Sequence, residues 1–175
     1  MKIILTTVAA LAVTTSSAFA HVNFETREAK QGSTYLGTLG IGHGCEGQAT
    51  LKVRLQIPEG VIAVKPVPKA GWSIEIIKGA YEKTYDYYGT PMSEGPKELI
   101  WTGALSDAHF DQFSFRGKLT DTLEAGKTVY FPVVQECADG AHKWVEIPAE
   151  GQDPHDLDEP APGLMITEPS HSHDH

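Results

Sequence analysis

Apolar and polar residues alternate along most of the chain with period two. In "TLKVRLQIP", Leu51, Val53, Leu55 and Ile57 fall on one face and Lys52, Arg54 and Gln56 on the other. That alternation predicts a half-buried strand. "GWSIEI" sets Trp72, Ile74 and Ile76 together, and "ELIWTG" is a short apolar strand. "QFSFRGKL" turns Phe113, Phe115 and Leu119 inward, with Gln112, Ser114, Arg116 and Lys118 outward. "KTVYFPVV" aligns Val129, Phe131 and Val133, and its Pro132 predicts an edge or a bulge. In "AHKWVEIP", His142, Trp144 and Glu146 share one face, opposite Val145 and Ile147. This face reads either as a ligand face or as a solvated one covered by a tryptophan.

No window after residue 20 carries a capped helical period, and Gly and Pro interrupt the strands at short intervals. About seven to nine short strands of this kind predict an all-β, antiparallel β-sandwich, with a small closed barrel as the alternative. "AYEKTYDYYGTPMSEGP" reads as a long hairpin whose tyrosines cover its base, or as a binding loop. After Pro148 the chain turns acidic and Pro-rich, which predicts a disordered tail over 149–175.

Residues 1–20 change the picture. Lys2, an apolar run from Ile3 to Val13, a polar stretch and "AFA" have the layout of a cleaved export signal. The run is too short to span a bilayer, so no stable membrane anchor is expected after cleavage. The domain is then expected over 21–148, in the periplasm or outside the cell. The whole chain carries a formal charge of −9 and no basic stretch, which argues against nucleic acid as a partner. Cys45 and Cys137 are the only cysteines. An even count in an exported chain favours a disulfide; two free thiols holding a soft metal are the alternative. A disulfide would close a loop of about 90 residues, worth about 4–5 kcal/mol at most in the loop-entropy account.

Cleavage after Ala20 makes His21 the first residue. Its α-amine and imidazole Nδ1 then belong to one residue and can chelate one ion, a donor set that suits Cu(II). Along an extended strand His21, Asn23 and Glu25 share one face, so Glu25 is a candidate oxygen ligand. Cleavage after Ala18 would place histidine third, where amine, two amides and imidazole form a square-planar site for Cu(II) or Ni(II). The plain alternative is a histidine left by processing at the start of an ordinary strand. His142 is a weaker metal candidate. His43, in the turn "GHGC", reads more readily as a turn residue than as a ligand. His171, His173 and His175 alternate in "HSHDH", a pattern that binds metal loosely.

The chain resembles the YcnI-like copper-binding family of exported bacterial proteins. The resemblance rests on "HVNFETREAKQGSTY", "GHGCEG", "VRLQIPEGV", "KPVPKAGW", "YDYYGTPMSEGPKELIWTG", "FDQFSFRGKL" and "VVQECADGAHKWVEIP". It implies a cupredoxin- or fibronectin-like sandwich. It also implies a brace in which an N-terminal histidine binds copper through amine and imidazole, with a carboxylate and a tryptophan nearby. The histidine maps to His21 and the tryptophan to Trp144. Just before "FSFRG", where the family's glutamate is expected, this chain has Gln112, preceded by Asp111. The carboxylate then falls to Asp111 or Glu25, or the site is weaker here. Some relatives carry a C-terminal membrane anchor; this chain has the histidine tail instead.

The expected function is copper storage or delivery, with another copper-handling protein as partner. No catalytic motif is found, so no enzymatic activity is expected. The first alternative is a copper-dependent oxidative enzyme acting on polysaccharides, for which His43, His109 or His142 would supply a second histidine. The other is an adhesion or scaffold sandwich whose tail binds metal incidentally.

Overall fold

The computed structural model describes residues 21–169. The leader and His171, His173 and His175 lie outside the described residues. In chain order the strands are β1 (Asn23–Phe24), β2 (Glu28–Lys30), β3 (Thr34–Ile41), β4 (Thr50–Gln56), β5 (Val61–Pro66) and β6 (Ser73–Tyr87). They continue as β7 (Thr90–Leu105), β8 (Asp111–Leu119), β9 (Thr128–Tyr130), β10 (Val133–Cys137), β11 (Ala141–Trp144) and β12 (Gly163–Thr167).

One sheet has the order β1-β3-β8-β5 and another β11-β10-β4-β7-β6. Their inner faces share one core, built on Val53, Leu55, Trp101, Phe113, Phe115 and Phe131 among others. A smaller sheet, β2-β12-β9, closes one side. All pairings are antiparallel except β2 with β12. The all-β sandwich is therefore as the alternation predicts, with more strands than expected and with β6 and β7, of 15 and 16 residues, much longer than the short strands read from the sequence. Among the described residues the single helical piece is a 3-10 turn, Pro154–Asp156, and no helix is long and apolar enough to cross a membrane.

Three local features depart from simple alternation. A register shift between Thr50 and Lys52 bulges β4, so Leu51 is 38% exposed while Thr50 turns inward. Phe131 and Pro132 separate β9 from β10: the Phe131 N–H reaches Pro162 O, and Pro132 O accepts from Gln56 N. Proline thus stands where one continuous run changes sheets, since it has no N–H to give to a ladder. The hairpin β6–β7 turns at Tyr88 and Gly89, with φ of +51° and +81°. Two left-handed residues in succession are the conformation a tight hairpin turn requires. Tyr81 and Tyr85 are buried beside Ile62 in the half of the hairpin nearer its turn and are structural, whereas Tyr88, in the turn itself, is 75% exposed.

The expected disordered tail is not what residues 149–169 form. β12 lies between β2 and β9, with Leu164 and Ile166 fully buried. "GLMIT" is a strand with Leu164 and Ile166 inward and Met165 outward, and five residues are too few to shift the average of an acidic, Pro-rich window. Upstream of it, Glu146 and Ala161 exchange backbone bonds with 159 and 146, holding the segment on the sandwich.

Candidate functional site

Trp144 organises the site. It ends β11 at the edge of its sheet and is only 1% exposed. The expectation of a covering tryptophan on a solvated face is thus corrected. Beyond Trp144 the chain leaves the ladder in a tight turn in which Val145 N reaches Lys143 O, and it is Val145 and Ile147 that stand exposed. The indole Nε1–H donates to Gln135 Oε1 over 3.3 Å. Gln135 is itself fully buried, and its Nε2 donates to His43 O at 2.6 Å and Thr50 Oγ1 at 2.7 Å. A buried amide is costly unless its donors and acceptor are all used, and here they are. This side chain ties β10, β4, β11 and the loop after β3 together.

The same loop is fastened by the Cys45–Cys137 disulfide, whose Cα atoms are 6.0 Å apart. The thiol alternative is therefore set aside. Gly44 N donates to Asp107 Oδ1 at 2.8 Å. A Cβ at Gly44 would come within 1.6 Å of Gln48 O, so only glycine lets the loop close this tightly.

On one side of Trp144 stands His21. Val22 and Phe24 are buried and His21, Asn23 and Glu25 face outward, as the alternation predicts. The His21 ring meets Trp144 edge-on, with centroids 6.1 Å apart and planes at 85°. Asn23 Nδ2 donates to His21 O at 3.0 Å. His21 and Glu25 line one cleft of about 320 Å³ together with Asn23, Arg27 and Phe110. Gln112 Nε2 donates to Glu25 Oε1 at 3.1 Å, so the glutamine orients a carboxylate where the resemblance expects one. Asp111 is turned elsewhere: its Oδ1 pairs with Lys69 Nζ at 2.5 Å, and it does not line the His21 cleft. Of the two candidate carboxylates, the structure brings Glu25 to His21 and commits Asp111 to Lys69.

A second cleft beside His21, of about 250 Å³, contains His155, whose ring centroid is 6.2 Å from that of His21. Sequence reasoning missed His155 by placing it in a disordered tail; the signal available was the "GLMIT" strand that brings it back. His109, in contrast, is exposed in the turn after Ser106.

On the other side of Trp144 a cleft of about 800 Å³ is lined by His43 and His142. Their ring centroids are 5.4 Å apart, and they lie 6.3 and 5.1 Å from Trp144. The His142 Nδ1–H donates to Glu159 Oε1 at 2.7 Å, and the His43 Nδ1–H to Gly44 O at 2.8 Å. Three histidine rings thus touch one buried indole. Among the described residues, no three His, Cys, Asp or Glu side chains are grouped tightly enough to hold an ion by themselves.

Residues 21–166 match the family model described as "Domain of unknown function (DUF1775)". A solved structure of an uncharacterized protein from Nocardia farcinica, described as revealing an immunoglobulin-like fold, aligns with a TM-score of 0.59 at 23% identity. The alignment covers 84% of this chain and 98% of that one. At that identity the likeness bears on the fold. No match is found among curated proteins. The chain belongs to the DUF1775 family, the domain that YcnI-like proteins carry.

Proposed function

Starting from that membership, we propose that this is an exported protein that binds Cu(II) at His21 once residues 1–20 are removed, and that stores the ion or passes it to another copper-handling protein. The observation that carries the reading is the placement of His21: edge-on to buried Trp144 and sharing a cleft with Glu25, whose carboxylate Gln112 orients. Before cleavage the nitrogen of His21 is an amide and a poor ligand. After cleavage it is an amine, and amine plus imidazole is a donor pair that Cu(II) favours. Glu25 would supply an oxygen, and Trp144 would wall the ion from one side. The disulfide supports a periplasmic or external setting, since such bonds persist in oxidising compartments.

The test is the intact mass of the exported protein with and without copper. The expected result is a chain beginning at His21 that retains one tightly held ion. A chain beginning at Phe19 would put the ligands in a different, square-planar set.

His155 favours one second reading. It provides an imidazole beside His21, the feature that a copper-dependent oxidative enzyme needs. Peroxide-driven turnover on chitin or cellulose, lost in His155→Asn, would support that reading over storage.

A further inference from the structure

We infer that the cleft on the other side of Trp144 is a second metal site, in which His43 and His142 bind one borderline divalent cation, Cu(II) or Zn(II), through their Nε2 atoms. The inference is independent of what His21 binds.

Both rings already have their other nitrogen occupied. The acceptor at His43 Nδ1 is the Gly44 carbonyl at 2.8 Å, and that at His142 Nδ1 is the Glu159 carboxylate at 2.7 Å. Neither acceptor can donate, so Nδ1 carries the hydrogen in both rings and the neutral imidazole keeps its lone pair on Nε2. Histidines that bind metals nearly always donate their second nitrogen to a carboxylate or a backbone carbonyl, which fixes the tautomer and the ring orientation. Here one ring uses each kind of acceptor.

The spacing fits as well. Metal–nitrogen bonds of about 2.0–2.1 Å, added to the radius of an imidazole ring, set the centroids of two rings sharing one tetrahedral ion about 5 Å apart. His43 and His142 are 5.4 Å apart.

The rings are held in advance. Glu159 Oε2 accepts from Lys143 N at 2.9 Å, and Glu159 N donates to Glu146 Oε2 at 2.7 Å, so the carboxylate behind His142 is anchored at both ends. The carbonyl of His43 is gripped by Gln135, and its loop is clamped by the disulfide. Glu46, Asp107, Glu146, Asp158 and Glu159 line the same cleft against Lys143, a balance that attracts a cation. Two protein nitrogens leave the remaining positions to water, an incoming ligand or a nearby carboxylate.

The experiment uses the full exported chain with its three tail histidines changed to asparagine, in a His21→Ala background, and Zn(II) alone as the probe. Ring nitrogen and Cε1–H signals of His43 and His142 are followed by NMR, with the Trp144 indole N–H signal as the check on folding. The expected result is that both rings shift together and saturate at one equivalent. His142→Asn abolishes the response of His43, and His43→Asn that of His142, so a misfolded variant leaves the other to decide. Glu159→Gln keeps the fold and weakens Zn(II) binding by about ten- to a hundredfold. The inference is overturned if neither ring moves at one equivalent, or if each still responds when the other is replaced. Because His21 is absent from the background, a failure here leaves the copper reading standing, and the reverse also holds.

Discussion

On one side of Trp144, His21 stands ahead of a two-residue strand and, under the proposed function, would take its second nitrogen from a proteolytic cut. On the other, His43 and His142 come from distant parts of the chain and meet only because a disulfide, a buried glutamine and an anchored glutamate hold them. The first set of donors costs almost no folding entropy, since both nitrogens belong to one residue. The second depends on the tertiary structure being intact. The two sides share an indole but respond to different injuries.

The largest effect that separates them comes from the disulfide. Replacing Cys45 and Cys137 by serine is expected to lower stability by about 2–5 kcal/mol, read from denaturant midpoints. The ring response of His43 to Zn(II) should be lost, because its loop is released. Copper at His21 should weaken much less under conditions where the protein stays folded. Equal losses on both sides would mean that the loop after β3 also shapes the His21 site.

What could be read from the sequence divides along the same line. The outward set His21, Asn23 and Glu25 follows from period two, as do the buried Phe113, Phe115 and Leu119. The disulfide follows from two cysteines in a chain whose first residues read as an export signal. These are local or compositional facts. The bulge that exposes Leu51 is not local, since it depends on the register of β4 against β7. The commitment of Asp111 to Lys69 requires knowing that the loop before β6 crosses β8. Period two carries Gln135 inward beside Val133, but nothing in "VVQEC" shows the three polar groups that converge on its amide. His155 was hidden by an acidic window that averages away the short strand after it.

A smaller injury should touch both sides at once. Gln135→Leu leaves the His43 carbonyl, Thr50 Oγ1 and the Trp144 indole N–H without their partner. Stranding buried polar groups is expected to cost about 1–3 kcal/mol. Thermal unfolding would measure the loss, and both metal sites should loosen together. An effect confined to one side would show that Trp144 is not the shared support.

The smallest effect should come from the far end of the hairpin, which serves as the control. Burial raises the Glu59 carboxyl, but hydrogen bonds from Lys97, Tyr85 and the Glu82 N–H outweigh it and hold the group below its ordinary value. Its contribution is present above the ordinary carboxylate range and is lost as pH falls through the lowered value. Burial, followed by the bond to Glu59, pushes Tyr85 up from 10.0 to about 12. That contribution is present below pH 10 and is lost as pH rises towards 12. Denaturation across pH should show both limbs. Glu59→Gln should flatten the acid limb and leave metal binding on either side of Trp144 unchanged within about twofold. A larger change in metal binding would mean that the hairpin and the site are coupled.

The central claim is that the first nitrogen of the processed chain binds copper, and a Cu(II) titration of the protein with one added N-terminal glycine tests it most directly. The extension keeps the His21 imidazole, Glu25 and Trp144 but moves the amine, so the chelate on one residue cannot form. The account predicts that the first equivalent binds at least about a hundredfold more weakly than in the native chain, close to 2.8 kcal/mol. The loss should match that of His21→Ala, with the quenching of Trp144 emission at one equivalent gone in both. If the glycine-extended protein binds the first equivalent as tightly as the native one, His21 is an ordinary strand residue and the account is contradicted.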